Sequence, residues 1–157
     1  MDEAALLAFL FEASRRGYAA GRDAAKVREG DGSTTIVYAH GDWTFHDNYF
    51  GGEPYGGREV VFLNRQPVWM ALYYGWVEGV SVDAERVYSF LQRALREAPA
   101  AFPVRGPDQF SEGLSTYRSA HHGSVANFSG EETIHEEGRH VYTARYLGGL
   151  VDRRASN

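Results

Sequence analysis

The chain has 157 residues, of which 43% are hydrophobic and 14% aromatic, and it contains no cysteine. This composition excludes an intrinsically disordered chain, a disulfide-stabilised scaffold and any thiol nucleophile or thiolate metal centre. The formal net charge is −5, and the arginines are scattered along the chain. Because a nucleic-acid surface normally carries a basic stripe, no nucleic-acid partner is expected.

The N-terminal residues carry no sign of export. The chain begins Met1-Asp2-Glu3 and lacks the basic lead and cleavage site of a secretory signal. No apolar run approaches the roughly 20 residues that a membrane span needs. We therefore expect a cytoplasmic protein without a membrane partner, folded as a single domain over residues 1–157.

The first predicted element is a helix over residues 4–18. Leu6, Phe9, Leu10 and Ala13 have the i, i+3, i+4, i+7 spacing of one buried stripe. Runs rich in β-branched and aromatic residues follow, separated by turn residues, and predict an antiparallel meander. The four predicted strands are 34–39, 43–49, 58–63 and 68–74.

A second helix is predicted over residues 83–97, with Asp83 as its N-cap. Its apolar positions again form one stripe. These positions are Val87, Phe90, Leu91, Ala94 and Leu95. Strands resume after the turn-forming segment 103–107. The predicted strands of this second meander are 115–121, 124–128, 133–136 and 141–147.

The two halves of the chain resemble each other. Residues 57–77 align without gaps on residues 130–150, with identities such as Glu59/Glu132 and Tyr73/Tyr146. Two interpretations remain open, a true duplication and the chance similarity of two hairpins rich in glycine and tyrosine. We favour duplication.

Duplication predicts an α+β fold of two pseudo-symmetric repeats, each a helix followed by an antiparallel meander. The repeats are expected at about residues 4–79 and 83–151, with 152–157 as a tail. Together they are predicted to form a curved antiparallel sheet with two helices packed on it. The first repeat holds nine extra residues within segment 48–57. This Gly-rich segment is expected to be either a flap or a plain surface loop.

Five motifs of the chain look familiar, at residues 41–51, 57–61, 67–69, 105–107 and 128–132. They resemble those of a family of uncharacterised prokaryotic domains, some of which follow a helix-turn-helix DNA-binding domain. The resemblance covers nearly the whole chain and brings no established activity. It implies an intracellular setting and, by analogy, a sensing role.

Strand alternation predicts where a binding site lies. Side chains that share the inner face are expected to converge on an aromatic-walled cleft between the repeats, which holds three carboxylates and has Arg105 at its rim. The predicted ligand-binding residues are Trp43, Asp47, Tyr49, Glu59, Trp69, Tyr73, Arg105, Glu132, Tyr142 and Tyr146.

Three interpretations of this cleft remain open. A planar or cationic small molecule suits ring faces combined with carboxylates. An enzyme could use Asp47 or Glu59 as general acid or base, because burial raises a carboxyl pKa. The structural alternative is that Glu59 and Glu132 only pair with Arg58, Arg105 or Arg145, as buried polar groups usually do.

No metal or other cofactor is expected. His40, Asp42 and His46 share a strand face by parity, but a turn interrupts them. The remaining histidines lack helical i, i+4 spacing and are interpreted as exposed turn residues. These are His121, His122, His135 and His140.

The outer face of the predicted strand 68–76 is apolar, whereas the matching strand of the second half has Thr143 and Arg145 there. Such a face needs cover by a helix or by a second subunit. A homodimeric interaction module is therefore a third functional hypothesis. The apolar outer residues are Val68, Met70, Leu72 and Tyr74.

Overall fold

A computed structural model describes residues 1–17, 20 and 25–152. The predicted tail therefore lies outside the described residues from 153 onward. The described part contains helices α1 (Glu3–Arg16) and α2 (Ala84–Arg96) and one nine-stranded sheet. The strands are β1 (Lys26–Arg28), β2 (Thr34–His40), β3 (Trp43–Gly51), β4 (Tyr55–Leu63), β5 (Gln66–Val77), β6 (Gln109–Glu112), β7 (Ser115–Ser124), β8 (Asn127–Glu136) and β9 (Arg139–Leu150).

Both helices form where their apolar stripes predict them. Asp2 caps α1 by accepting hydrogen bonds from the amides of Ala4 and Ala5, and Asp83 caps α2 by accepting one from the amide of Arg86. The predicted stripes are the buried faces of the two helices. The helical predictions are therefore confirmed, because both the cap and the spacing are local properties of the sequence.

The sheet is a single antiparallel layer in the order β1-β2-β3-β4-β5-β9-β8-β7-β6. Strands β5 and β9 pair along their length, from Trp69 opposite Leu150 to Val77 opposite Tyr142. This pairing joins the N-terminal and C-terminal strands into one continuous sheet. The protein has the α+β class, but it is not built from two helix-plus-meander repeats, and that prediction is wrong.

Two findings overturn the repeats. Five described strands follow α1 and four follow α2. The predicted strand 124–128 spans the turn between β7 and β8, and its last two residues lie with 133–136 in the single strand β8. The core beneath α1 also contains Val125, Phe128 and Tyr146 from the C-terminal half, so the two halves do not have separate cores. The identical residues of the two halves are instead interpreted as the similarity of glycine- and tyrosine-rich strands that belong to one sheet.

The turn predicted inside β8 fails for a specific reason. Gly130 and Glu132 look like loop residues in the sequence, yet both lie in the strand. A Cβ at position 130 would come within 2.4 Å of the Tyr146 ring, so glycine is needed for that ring to lie against the strand. Glu132 is buried in the strand because charged and phenolic partners surround it.

The Gly-rich segment 48–57 is neither a flap nor a long loop. It extends β3 to Gly51 and begins β4 at Tyr55, so only residues 52–54 lie outside the two strands. Glu53, in this short turn, accepts hydrogen bonds from the amide of Val77, at 2.9 Å, and from the hydroxyl of Tyr88. These bonds fasten the β3–β4 hairpin to β5 and α2.

Both helices pack on the same face of the sheet. The core under α1 centres on Phe45, Val61 and Trp69, and the core under α2 centres on Ile134 and Tyr142. The space between the helix layer and strands β3, β4 and β5 holds the candidate site. Among the described helices, none is long and apolar enough to cross a membrane.

Candidate functional site

A cavity of about 290 Å³ lies between strands β3–β5 and helix α2. Its walls are phenolic rings and carboxyl groups, with a cationic side chain on two sides. Glycines of the β3–β4 hairpin form part of its edge. The lining residues are Lys26, Asp47, Tyr49, Gly51, Gly52, Tyr55, Glu59, Tyr73, Tyr88, Gln92 and Arg105.

Asp47 and Glu59 form a directly opposed pair on β3 and β4. Asp47 is 3% exposed, and its Oδ1 accepts a hydrogen bond from the hydroxyl of Tyr73 on β5. Burial raises the pKa of Asp47 to about 6, and the Tyr73 hydrogen bond partly opposes that rise. Burial and the charge of Asp47 in turn raise the pKa of Tyr73, which therefore stays a neutral donor.

Glu59 receives no comparable hydrogen bond from a described residue. Between described residues, no hydrogen bond or ion pair involves its carboxyl group. Its partly exposed surface is part of the cavity wall. Burial first, and the neighbouring charge of Asp47 second, raise the pKa of Glu59 to about 8. Glu59 is therefore a largely protonated carboxyl group at neutral pH that faces open space.

Arg105 and Glu132 form a buried, two-point ion pair behind the cavity. The Nε of Arg105 donates to Oε2 of Glu132 at 3.0 Å, and its Nη2 donates to Oε1. Glu132 also accepts hydrogen bonds from the hydroxyls of Tyr117, at 2.6 Å, and Tyr142, at 3.2 Å. Burial lowers the pKa of Arg105, but its neighbours, with the charge and hydrogen bonds of Glu132 foremost, together hold that pKa well above its usual value.

This network answers the question that the sequence left open for Glu132. Each of its carboxylate oxygens is occupied by both the arginine and a tyrosine. A group with full hydrogen bonding has little left to offer a ligand, so Glu132 positions Arg105. Arg105 comes from a buried segment, 102–106, that the sequence predicted as a turn.

Glycines on the inner face give the tyrosine rings their positions. Tyr55 lies over Gly75, where a Cβ would come within 2.9 Å of its ring, and its hydroxyl is 2.5 Å from the hydroxyl of Tyr142. Tyr73 lies over Gly57, where a Cβ would come within 2.6 Å of its hydroxyl. The missing side chains let phenol groups lie close to the sheet and reach the carboxyl groups.

The ten predicted site residues separate into three groups. The cavity is lined by Asp47, Tyr49, Glu59, Tyr73 and Arg105. The network behind it contains Glu132 and Tyr142. The remaining three serve packing: Trp43 stacks on Phe9, Trp69 donates to the carbonyl of Val125 at 2.9 Å, and the Tyr146 hydroxyl lies 2.8 Å from that of Ser119.

Sequence reasoning missed several residues of the cavity wall. Tyr55 has the same parity as Glu59 and would have been found if the strand had been predicted to begin at residue 55. Tyr88 and Gln92 are four residues apart beside the buried stripe of α2, which is a detectable signal. No pattern in the sequence pointed to Lys26, because β1 is short and fully exposed.

The opposite face of the sheet has no helix packed against it in the described structure. Leu72, Tyr74 and Leu147 are exposed there, by 44%, 51% and 55%. The apolar outer face predicted for β5 is thus found at Leu72 and Tyr74, whereas Val68 packs against the core under α1. The homodimer that could cover this face stays a prediction. Within residues 1–17, 20 and 25–152, no cluster of His, Asp and Glu side chains could hold a metal ion.

Comparison with known proteins identifies a family but no activity. No curated protein and no solved structure matches the chain significantly. A family model described as a domain of unknown function, DUF5680, matches residues 47–151, from Asp47 in β3 to the residue after β9. The resemblance to an uncharacterised domain family is confirmed, whereas a prokaryotic origin and a linked helix-turn-helix domain stay predictions. The chain therefore belongs to the DUF5680 family.

Proposed function

We propose that this domain binds a small organic molecule, planar or cationic, in the cavity between β3–β5 and α2. One observation carries the proposal: Glu59 is a carboxyl group that faces this cavity without a hydrogen-bond or ion-pair partner among residues 1–17, 20 and 25–152. Buried polar groups in folded proteins are nearly always satisfied, so an unpaired carboxyl at a cavity wall indicates a partner that comes from outside the chain.

The walls suit such a ligand. Tyr55 forms an edge contact with Tyr88 at 5.5 Å and a tilted contact with Tyr73 at 5.9 Å between ring centroids. These rings offer both faces and edges to a flat molecule. Small-molecule sites are typically apolar or aromatic pockets with a few convergent polar groups, and this cavity has that composition.

The cavity also lies next to the β3–β4 hairpin, which hydrogen bonds hold to α2, and this position favours a sensing role. Glu53 connects the β3–β4 hairpin to α2 through the hydroxyl of Tyr88, and Tyr88 is itself part of the cavity wall. A ligand that contacts Tyr88 can thus change how the hairpin and α2 are joined. Only a ligand with different affinities for two arrangements can shift their populations.

The test is a thermal-shift screen with a library of small metabolites, followed by direct calorimetry of the hits. We expect stabilising compounds whose effect is lost in Gln92→Trp, which fills the cavity from α2, and reduced in Glu59→Gln. The matched control is Glu131→Gln, because Glu131 is an exposed glutamate on the same sheet that pairs with Arg145. Hits that stabilise all three variants equally would place binding elsewhere and reject the proposal.

A second candidate function is acid–base catalysis in the same cavity. The observation that favours it is that Asp47 and Glu59 are directly opposed, with pKa values raised to about 6 and about 8. Two carboxyl groups with separated pKa values can supply a base and an acid together. A bound compound that is converted by the wild type, and bound but unconverted by Asp47→Asn, would establish this function.

A further inference from the structure

Resting on the proposed binding function, we infer that the ligand carries a protonated nitrogen, and that its cationic group pairs with Glu59 and displaces the Glu59 proton. The domain would thus exchange one proton for one organic cation. The geometry around Glu59, the commitment of the nearby cations and the ring faces of the cavity each support this inference.

Among the described residues, no cation bonds to Glu59. The charge of Arg105 reaches Glu59 and partly opposes the rise of its pKa, but both bonded nitrogens of Arg105, Nε and Nη2, are directed to Glu132. Lys26 on the edge strand β1 lines the same cavity, but its side chain is exposed. The other titratable groups described around Glu59 are acidic or phenolic, and α1 presents the uncharged Ala13 and Ser14 on this side. These neighbours are Asp47 on β3, Tyr55 on β4, Tyr73 on β5, Tyr88 on α2 and Glu132 on β8.

The ionised Asp47 makes it unfavourable for Glu59 to lose its proton. It lies directly opposite Glu59, and its own hydrogen bond from Tyr73 stabilises its ionised form. Two adjacent carboxylates repel, so the one without a hydrogen bond keeps its proton, and the raised pKa of Glu59 agrees with this assignment. The attraction of a cation that enters the cavity offsets both the repulsion and the desolvation penalty, and Glu59 then ionises.

The rings can hold a cation. The guanidinium carbon of Arg105 already lies 5.7 Å from the centroid of the Tyr73 ring, within the range of a cation–π contact. Tyr55 and Tyr88 continue this aromatic wall toward the hairpin. An organic ammonium group in the cavity therefore contacts both a carboxyl group and electron-rich ring faces. The carbon skeleton of the ligand fills the space that the tyrosines line.

The experiment uses matched probes on the wild-type protein. Tyramine and benzylamine carry an ammonium group, and 4-ethylphenol and benzyl alcohol are their uncharged analogues. Calorimetry in phosphate and in HEPES, whose ionisation enthalpies differ and which carry no primary ammonium group, measures the protons released on binding. At pH 7 we expect about one proton released per bound amine, and an amine affinity that rises about tenfold from pH 6 to pH 7 and levels off above about pH 8.

Substitution separates the contribution of Glu59 from that of the cavity. The Glu59→Gln variant should bind the amines at least tenfold more weakly, and this affinity should no longer depend on pH. The Glu131→Gln variant should behave as the wild type. Amines that bind without proton release, or neutral analogues that bind as well as the amines, would overturn the cation exchange while leaving the proposed binding function intact. If neither these probes nor the metabolite library binds, both proposals fail. The proton count on the wild type needs no variant to fold.

Discussion

Asp47 and Glu59 face each other across β3 and β4, yet of the two only Asp47 receives a hydrogen bond from the part of the chain that the structure describes, and its donor is the hydroxyl of Tyr73. Two chemically similar groups therefore differ in charge. The hydrogen bond from Tyr73 stabilises Asp47 as a carboxylate, whereas Glu59 remains a protonated carboxyl group. Glu59 is thereby the group of the cavity wall that is best placed to respond to a ligand, and the first and third predictions below follow from this asymmetry.

The first prediction concerns stability and pH. The folded-state pKa of Glu59, about 8, lies above its ordinary value of 4.5, so between these values the unfolded chain binds fewer protons than the folded one. Stability must then fall as the pH rises through this window, by at most on the order of 1 kcal/mol per pH unit from this group. Urea denaturation at pH 5.5, 6.5 and 7.5 measures the slope.

Glu59→Gln should flatten that slope and make the variant more stable than the wild type at pH 7.5. Glu131→Gln, on an exposed carboxyl of the same sheet, is the control and should leave the slope unchanged. A wild-type slope that persists in Glu59→Gln would assign the titration to another group.

The second prediction concerns the buried ion pair. Glu132→Leu leaves the Arg105 guanidinium buried without its partner and should cost about 3–5 kcal/mol of unfolding free energy. The double variant Arg105→Met/Glu132→Leu should recover most of that loss, because it leaves no buried charge unpaired. Chemical denaturation of the two variants measures both values.

The exposed pair of Arg145 and Glu131, whose Nε and Oε2 are 3.0 Å apart, gives the comparison. Breaking it should cost less than about 1 kcal/mol, because water screens exposed ion pairs. A double variant that is no more stable than Glu132→Leu would mean that the tyrosine hydrogen bonds, rather than the arginine, account for the loss.

The third prediction concerns the hydrogen bond between Tyr73 and Asp47. Tyr73→Phe removes a donor to a buried carboxylate, so the pKa of Asp47, which burial already raises to about 6, should rise further. Stability at neutral pH should fall by about 1–3 kcal/mol. Carbon-13 detected NMR titration of the Asp47 carboxyl group follows the pKa directly. An unchanged midpoint would show that the hydroxyl does not act on Asp47.

The fourth prediction concerns the glycine beneath Tyr55. In Gly75→Ala the new Cβ would lie 2.9 Å from the Tyr55 ring, so the ring must move and its contact with the Tyr142 hydroxyl is lost. We expect a loss of about 1–3 kcal/mol in stability together with weaker ligand binding. Gly30→Ala is the matched control, because no atom lies within 4 Å of a Cβ at that position. Equal stability of the two variants would contradict the tight fit of the ring.

The fifth prediction concerns the β3–β4 hairpin. Glu53→Gln weakens the hydrogen bonds that join this turn to the amide of Val77 and the hydroxyl of Tyr88. Hydrogen exchange at the amide of Val77 should therefore accelerate, while exchange at the centre of β8 should stay unchanged. Amide exchange followed by NMR measures both sites in one experiment. Unchanged protection of Val77 would mean that strand pairing alone holds the hairpin.

Local patterns in the sequence predicted the local structure. The stripes on α1 and α2 and the alternation of Trp43, Phe45 and Asp47 on β3 depend only on residues a few positions apart, and the structure agrees with them. Alternation also placed Asp47 and Glu59 on the inner face, while the register that sets them opposite each other came from the structure. This succeeded because a strand has a fixed period of two, which requires no knowledge of its partners.

The sequence alone also determined the composition of the site: carboxyl groups, tyrosines and a single arginine without cysteine chemistry. Only the tertiary structure decided that β5 pairs with β9 to make one sheet, and that Arg105, from a segment predicted as a turn, is buried against Glu132. The physical reason is that strand pairing and burial of charge depend on residues far apart in the chain. The free energy of a buried carboxyl is set by the neighbours that the fold brings to it, so Glu132 became a structural anchor while Glu59 was left open to the cavity.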